Sequence, residues 1–342
     1  MILADKRIVI TGGTGSLGKT LVHRVLSGEL GTPKKVIVFS RDEAKQHEMR
    51  ISYLSKPAAT DEVIYRNFMS ILEMRIGDIR DYANVCSVLK DADIVFNAAS
   101  LKQVPTCEYF PVQALQTNCL GAYNITRAIE ENRYPVETVV GISTDKACKP
   151  VNVMGMTKSI QERIFTAANI MVPQTRFVCV RYGNVLASRG SVIPLFHEQI
   201  RKGGPVTITI PEMTRFLMSL DQAVDTVFAA VRRADPGDTY VPVAPSSTVL
   251  NVARALIGNK KIETAITGIR PGEKIHEILV SEEEAHRCFK DGDYYTIRAM
   301  LPELRHEGDL LGPCLKSEFS SADAQINYDD TVALLKKHDL LI

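Results

Sequence analysis

The sequence predicts an α/β protein: a Rossmann-type doubly wound parallel sheet with a smaller C-terminal α/β lobe. Three observations carry this. Across roughly the first 180 residues, short apolar runs alternate with longer helical patterns, as in βαβ units. The first run opens directly into a glycine-rich turn and a helix. After Asn184 the rhythm breaks into short segments punctuated by Gly and Pro. The division falls at residues 1–183 for a nucleotide-binding domain. Residues 184–342 form a mainly substrate-binding lobe that can interleave with the first, and a cleft lies between them.

The strands are "RIVIT", "KVIVFS", "LEMRIGD", "DIVFNAA", "TVVGIS" and "RFVCVRY". Apolar runs of this kind suit strands covered on both faces. Strand one leads into "VITGGTGSLGKTLVHRVL", where Gly12, Gly15 and Gly18 recur every third residue around Thr14, Ser16 and Leu17. Glycines let the backbone approach a pyrophosphate, and the helix N-terminus adds N–H donors and positive dipole. A lone triplet could be a helix cap; the strand–turn–helix setting points to a nucleotide. Strand two ends "VFSRDEAKQ". NAD-specific folds have an acidic residue there, whereas this chain has Ser40 and Arg41, with Lys45 one turn on. Hydroxyl and guanidinium suit a 2′-phosphate, so NADP is expected over NAD. Asp78 in "GDIRD" can accept from the adenine amino group, with Ile79 beside it. "NAAS" ends strand four with Ala98 and Ala99, small enough to lie along a cofactor.

Strand five ends "ISTDKA", placing Ser143, Thr144, Asp145 and Lys146 at the carboxyl edge of the sheet, where such folds bind ligands. An adjacent acid and lysine there can move protons, or can be a surface ion pair. Met154 and Lys158 follow, four apart. A thioether has no proton to give. Beyond strand six come "RYGNV", "SRGSVIPLF", "MTRF" and "RPGEK", rich in groups that suit phosphate and vicinal hydroxyls.

The 342 residues suffice for one large or two modest domains. A net charge of +1 gives no global pull toward nucleic acid or an acidic membrane. No apolar run approaches the ~20 residues of a membrane span. The start, "MILADKRIVITGG", runs straight into a strand, so no signal peptide is expected. The seven cysteines form no C-x-x-C pair or metal spacing, which predicts reduced core thiols in the cytoplasm. Cys148 has no histidine near it in sequence, so a buried thiol is expected rather than a nucleophile. The histidines show no ligand spacing either, and no metal is expected.

On the motifs "TGGTGSLG", "FSRDE", "GDIRD", "LKQVP", Thr117-Asn118, "STDKA", "RYGNV", "SRGSVIPLF", "MTRF" and "RPGEK", the chain resembles the extended short-chain dehydrogenase/reductase family. Within it, the chain is similar to the inverting UDP-N-acetylglucosamine 4,6-dehydratases of surface-polysaccharide synthesis, where Thr-Asp-Lys replaces the Thr-Asp-Glu of dTDP-glucose dehydratases. Most of that branch carries Tyr-x-x-x-Lys. Met-x-x-x-Lys, seen here at Met154 and Lys158, resembles its CapE-type capsule subgroup.

The resemblance implies an NADP-dependent reaction on UDP-N-acetylglucosamine. Carbon 4 is oxidised, the carbon-5 proton and carbon-6 hydroxyl are lost, hydride returns to carbon 6, and carbon 5 is reprotonated from the opposite face. It implies Asp145 as the acid at carbon 6 and Lys146 as the base at carbon 5. Lys158 and the oxidised nicotinamide are expected to bring the Lys146 pKa from about 10.4 toward about 7–8. Lys158 also holds the nicotinamide ribose, Thr144 relays protons, and Asn118 organises the proton network. Met154 forms an apolar wall and leaves open which group deprotonates the 4-hydroxyl. Asn184, Ser188, Arg189, Ser191 and Val192 resemble the segment that folds over a nucleotide diphosphate. Arg270 and Glu273 resemble contacts to pyrophosphate and uridine ribose, with Lys102 and Arg215 as further contacts. A homo-oligomer, dimer or hexamer, is expected as well. Two other readings stand beside it: a UDP-sugar 4-epimerase, which has no use for Asp145 and Lys146, and a non-catalytic NADP-binding regulator, for which Met154 argues.

Overall fold

The computed structural model describes residues 1–54, 62–186, 191–305 and 315–341. Six parallel strands come from the first half: β1 (Arg7–Thr11), β2 (Lys35–Ser40), β3 (Leu72–Ile76), β4 (Ile94–Asn97), β5 (Thr138–Thr144) and β6 (Arg176–Tyr182). They run β6-β5-β4-β1-β2-β3, so the order reverses beside β1, which makes a switch point for a ligand at the carboxyl ends. Alternation along each strand feeds two separate cores. Ile8, Ile10, Val36 and Val38 join helices Ser16–Leu26 and Leu220–Arg233 on one face. Val9, Ile37, Val95, Val139 and Phe177 join helices Tyr82–Leu89, Gly121–Asn132 and Val153–Met171 on the other. This is the doubly wound α/β fold the apolar runs predict.

The division at 183/184 does not separate the halves in space. Thr239–Pro242 pairs in parallel with β6, and the antiparallel hairpin of Cys288–Asp291 and Tyr294–Ile297 extends the sheet to nine strands. Helix Leu220–Arg233 packs on β5, β6 and Thr239–Pro242 beside helix Ser16–Leu26. The edge of β6 would otherwise leave a row of backbone donors and acceptors unpaired, so the chain returns to cover it. The rest of the second half builds a smaller lobe around Phe196, Ile208, Leu217, Val252 and Leu335. Its short strand Thr214–Met218 pairs with both Asn184–Val185 and Ser246–Thr248, which fixes that lobe against the end of β6.

Candidate active site

A cleft of about 860 Å³ runs along the carboxyl ends of the strands, between the sheet and the smaller lobe. One end is built by the glycine turn. Gly12 sits at φ 65°, and a Cβ there would stand 2.7 Å from the Ala99 backbone. Gly15 precedes helix Ser16–Leu26 without any side-chain cap, so the helix N-terminus is left to a ligand. Thr14, Ser16, Leu17, Gly18, Ile79, Ala98 and Ala99 line the same end. This bare cradle fits a pyrophosphate. Farther along, Ser40 Oγ accepts from Gln46 (3.0 Å) and Thr14 (3.4 Å), and Arg41 is half exposed with its guanidinium 3.9 Å from Asp78.

Two of the predicted groups here already have partners. Asp78 is forked by Arg80 at 2.6 and 2.9 Å; burial raises its pKa, but the Arg80 contacts more than offset this and hold it below the usual range. Lys45 is paired with Asp42.

The other end is built on the turn after β5. Asp145–Ala147 forms a single 3₁₀ turn, which tucks the Asp145 carboxyl inward at 0% exposure, behind Thr144 and Lys146, which line the cleft while Asp145 itself does not. Its Oδ1 accepts from Thr144 Oγ1 (2.8 Å) and Lys146 Nζ (3.0 Å), and Oδ2 has no partner among the described residues. Burial pushes the Asp145 pKa up against the pull of Lys146, and nearby Glu277 adds to the rise. Asp145 is thus suited to carry a proton. Gly155 lets the next helix lie on this turn, because a Cβ would run into the Lys146 carbonyl. Asn152 caps that helix through Gly155 N–H and ties it to the Gly272 carbonyl of the "RPGEK" loop.

Lys146 departs from expectation. Its Nζ lies 3.0 Å from Asp145 and 3.1 Å from Glu277. Burial disfavours the ammonium, but the two carboxylates outweigh burial, so its pKa lies above the ordinary value. The lowered pKa predicted for Lys146 is therefore incorrect in this state. Lys158 is the lysine that burial depresses, to about 8; among the described residues its Nζ donates to the Ile142 carbonyl (2.6 Å) and the Gln161 amide oxygen (2.9 Å) and pairs with no carboxylate. It lines the cleft with its ammonium turned onto β5.

Met154 also lines the cleft and packs with Cys107, Ala114, Leu101 and Val104, the apolar wall expected. Asn118 is not in the cleft. Both polar ends of its amide are spent on Leu101 and Thr157, where it clamps the segment after β4 to helix Val153–Met171.

Lys102, Asn184, Ser191, Arg270 and Glu273, expected at the substrate, line the cleft. Asn184 Oδ1, Ser191 Oγ and Glu273 Oε2 are buried without partners among the described residues, so the cleft keeps polar groups for a ligand. Two assignments are corrected. Arg215 does not line the cleft; its guanidinium donates to the Thr214 and Ile275 carbonyls and stands 3.9 Å from Glu277. Val192 starts helix Val192–Arg201 and packs on the small-lobe core. Ser188 and Arg189 lie outside the described residues. Sequence reasoning passed over Glu277, whose only signal was its place just after "RPGEK". Among the described residues, no group of three or more His, Cys, Asp or Glu is placed to hold a metal ion, and no helix is long and apolar enough to cross a membrane.

The Rossmann sheet with its bare glycine turn and a second lobe closing over it is the short-chain dehydrogenase/reductase fold, and by its relatives the chain is a nucleotide-sugar-modifying enzyme. The chain belongs to the polysaccharide biosynthesis protein family, which it matches over residues 8–299. It is 44% identical over 344 residues to a UDP-glucose 4-epimerase of Rickettsia canadensis, covering 98% of this chain and 96% of that one. Among solved structures it is similar to Pen from Bacillus thuringiensis, with a TM-score of 0.87, 32% identity and 100% coverage of both chains. It shares its fold with DesIV, a dTDP-glucose 4,6-dehydratase from Streptomyces venezuelae with NAD and TYD bound, at a TM-score of 0.64, 16% identity and 97% of each chain.

Proposed function

We propose that this enzyme is an NADP-dependent UDP-N-acetylglucosamine 4,6-dehydratase that inverts carbon 5. The observation that carries the reading is the fully buried Asp145, with a raised pKa and an unpartnered oxygen, beside Lys146. A hydroxyl leaving carbon 6 needs a proton donor, and a carboxyl whose proton affinity burial has raised is suited to be one. A 4-epimerase returns its hydride to carbon 4 and has no leaving group to protonate. NADP, when bound, would supply the hydride-transfer chemistry. Gly12, Gly15 and Gly18 leave room for its pyrophosphate, and Ser40 with Arg41 suits a 2′-phosphate. Thr144 orients Asp145, Lys146 exchanges the carbon-5 proton, and Lys158 remains the group nearest in kind to a ribose contact.

The names carried by the Rickettsia relatives favour a second reading, UDP-glucose 4-epimerase. Incubation with UDP-N-acetylglucosamine and NADP⁺, followed by NMR of the product, decides between them. A 6-deoxy-4-keto sugar is expected. A galacto-configured product with carbon 6 intact establishes the epimerase.

A homo-oligomer belongs to the proposal. Leu120 and Tyr123 at the start of helix Gly121–Asn132 and Met156 and Ile160 on helix Val153–Met171 are exposed apolar side chains on helices that pack together, a face suited to a second copy. The six described cysteines are unbridged, in keeping with a reducing compartment such as the cytoplasm.

A further inference from the structure

Glu277 is 2% exposed and comes from the smaller lobe, yet it reaches the turn after β5. Its backbone is pinned: its N–H donates to Ser321 Oγ (2.9 Å), and its carbonyl accepts from Ser321 N–H (2.7 Å). Its Oε1 lies 3.1 Å from Lys146 Nζ and 3.9 Å from Arg215 Nε, while Oε2 has no partner among the described residues. A carboxylate this deeply buried is tolerated only against positive charge. The reacting lysine supplies most of it, since Arg215 is farther and is also bound to backbone carbonyls. Lys274, the other cation near, donates to the Cys148 carbonyl.

We propose that Glu277 is a positioning residue for the Asp145–Lys146 pair, the second carboxylate of a cradle that reaches across from the smaller lobe and holds the Lys146 amino group against Asp145. With one carboxylate, Lys146 could swing on its long stem. With two, 3.0 and 3.1 Å away, the nitrogen has one place to be. The charged groups that act on Lys146 are Asp145, Glu277 and Arg215, and those that act on Glu277 are Lys146, Arg215 and Lys274. Glu277 favours the ammonium and opposes ionisation of Asp145. Neutralising it therefore lets both groups titrate lower. The catalytic consequence rests on the dehydratase reading; the geometry and the charge state of Lys146 do not.

The test follows the pH midpoint at which Lys146 reacts with acetic anhydride, read by peptide mass spectrometry on the whole protein. In the unmutated protein the midpoint is expected above that of an ordinary lysine. A midpoint below it overturns the cradle, whatever any variant does. In Glu277→Gln the midpoint is expected to fall by about one unit or more, so that Lys146 labels about tenfold faster at a fixed lower pH. In the same variant kcat is expected to fall, with its pH profile displaced, while KM for the sugar changes little. Glu277→Asp, with its charge kept, is expected to restore part of the midpoint. An unchanged midpoint in a folded Glu277→Gln overturns the proposal. A shifted midpoint without any 6-deoxy-4-keto product from the unmutated enzyme supports the cradle and sinks the dehydratase reading.

Discussion

Lys146 and Lys158 lie in one stretch of sequence, line one cleft and are both largely withdrawn from water, yet the fold gives them opposite characters. Lys146 sits between two carboxylates and stays charged. Lys158 meets a carbonyl and an amide oxygen, so burial dominates and its pKa drops to about 8. For a lysine inside a protein, the charge of its partners decides the outcome more than the depth of its burial.

The largest effect that tests this contrast is on turnover. Lys146→Ala is expected to lose roughly 10²–10⁴ in rate while the fold and NADP⁺ binding survive, and Asp145→Asn is expected to be similarly severe. In deuterated water the unmutated enzyme should place deuterium at carbon 5 of the product. Normal turnover in Lys146→Ala would put the carbon-5 proton elsewhere.

The next effect is on stability, where the two lysines have opposite signs. A lysine raised above its ordinary pKa of 10.5 stabilises the fold fully below that pH and loses the contribution as pH climbs through the raised value. Lys158, lowered to about 8, burdens the fold fully below pH 8, and the burden lifts between pH 8 and 10.5. The free-energy gap between Lys158→Met and the unmutated protein is thus expected to move by about 3 kcal/mol in favour of the unmutated protein from pH 7 to pH 11. Denaturant unfolding at both pH values measures it. A flat gap breaks the comparison.

At the cofactor end of the cleft neither lysine is in play, and Arg41→Ala serves as a contrast. Unmutated protein is expected to bind NADP⁺ more tightly than NAD⁺, and the variant to lose roughly 1.5–3 kcal/mol of that preference. Equal affinities before mutation would remove the assignment of Ser40 and Arg41. The smallest effect on turnover belongs to Met154→Ala. It is expected to cost about 2 kcal/mol of stability through its small apolar cluster, read by denaturant unfolding, while turnover changes little. Loss of turnover with substrate and NADP⁺ still bound would return position 154 to the proton chemistry.

The features legible in the sequence are those made by neighbours in the chain. The glycine turn, the apolar runs of β1 to β6 and the placing of Asp145 and Lys146 at a strand end follow from local spacing and a fixed strand period. The short run "TYVP" at Thr239–Pro242 was too brief to signal a strand, and only the unpaired edge of β6 makes it one. Asn118 and Arg215 were readable as residue types, but their partners were not. Leu101 and Thr157 take one, and Ile275 and Glu277 hold the other. Hence the sequence by itself determined the fold and the strand end at which Thr144 and Lys146 meet the cleft. Only the tertiary structure decided that Lys146 is charged and Lys158 is depressed. Proton affinity depends on desolvation and on charges within a few ångströms, and Glu277, which joins Asp145 in raising Lys146, comes from a lobe far along the chain.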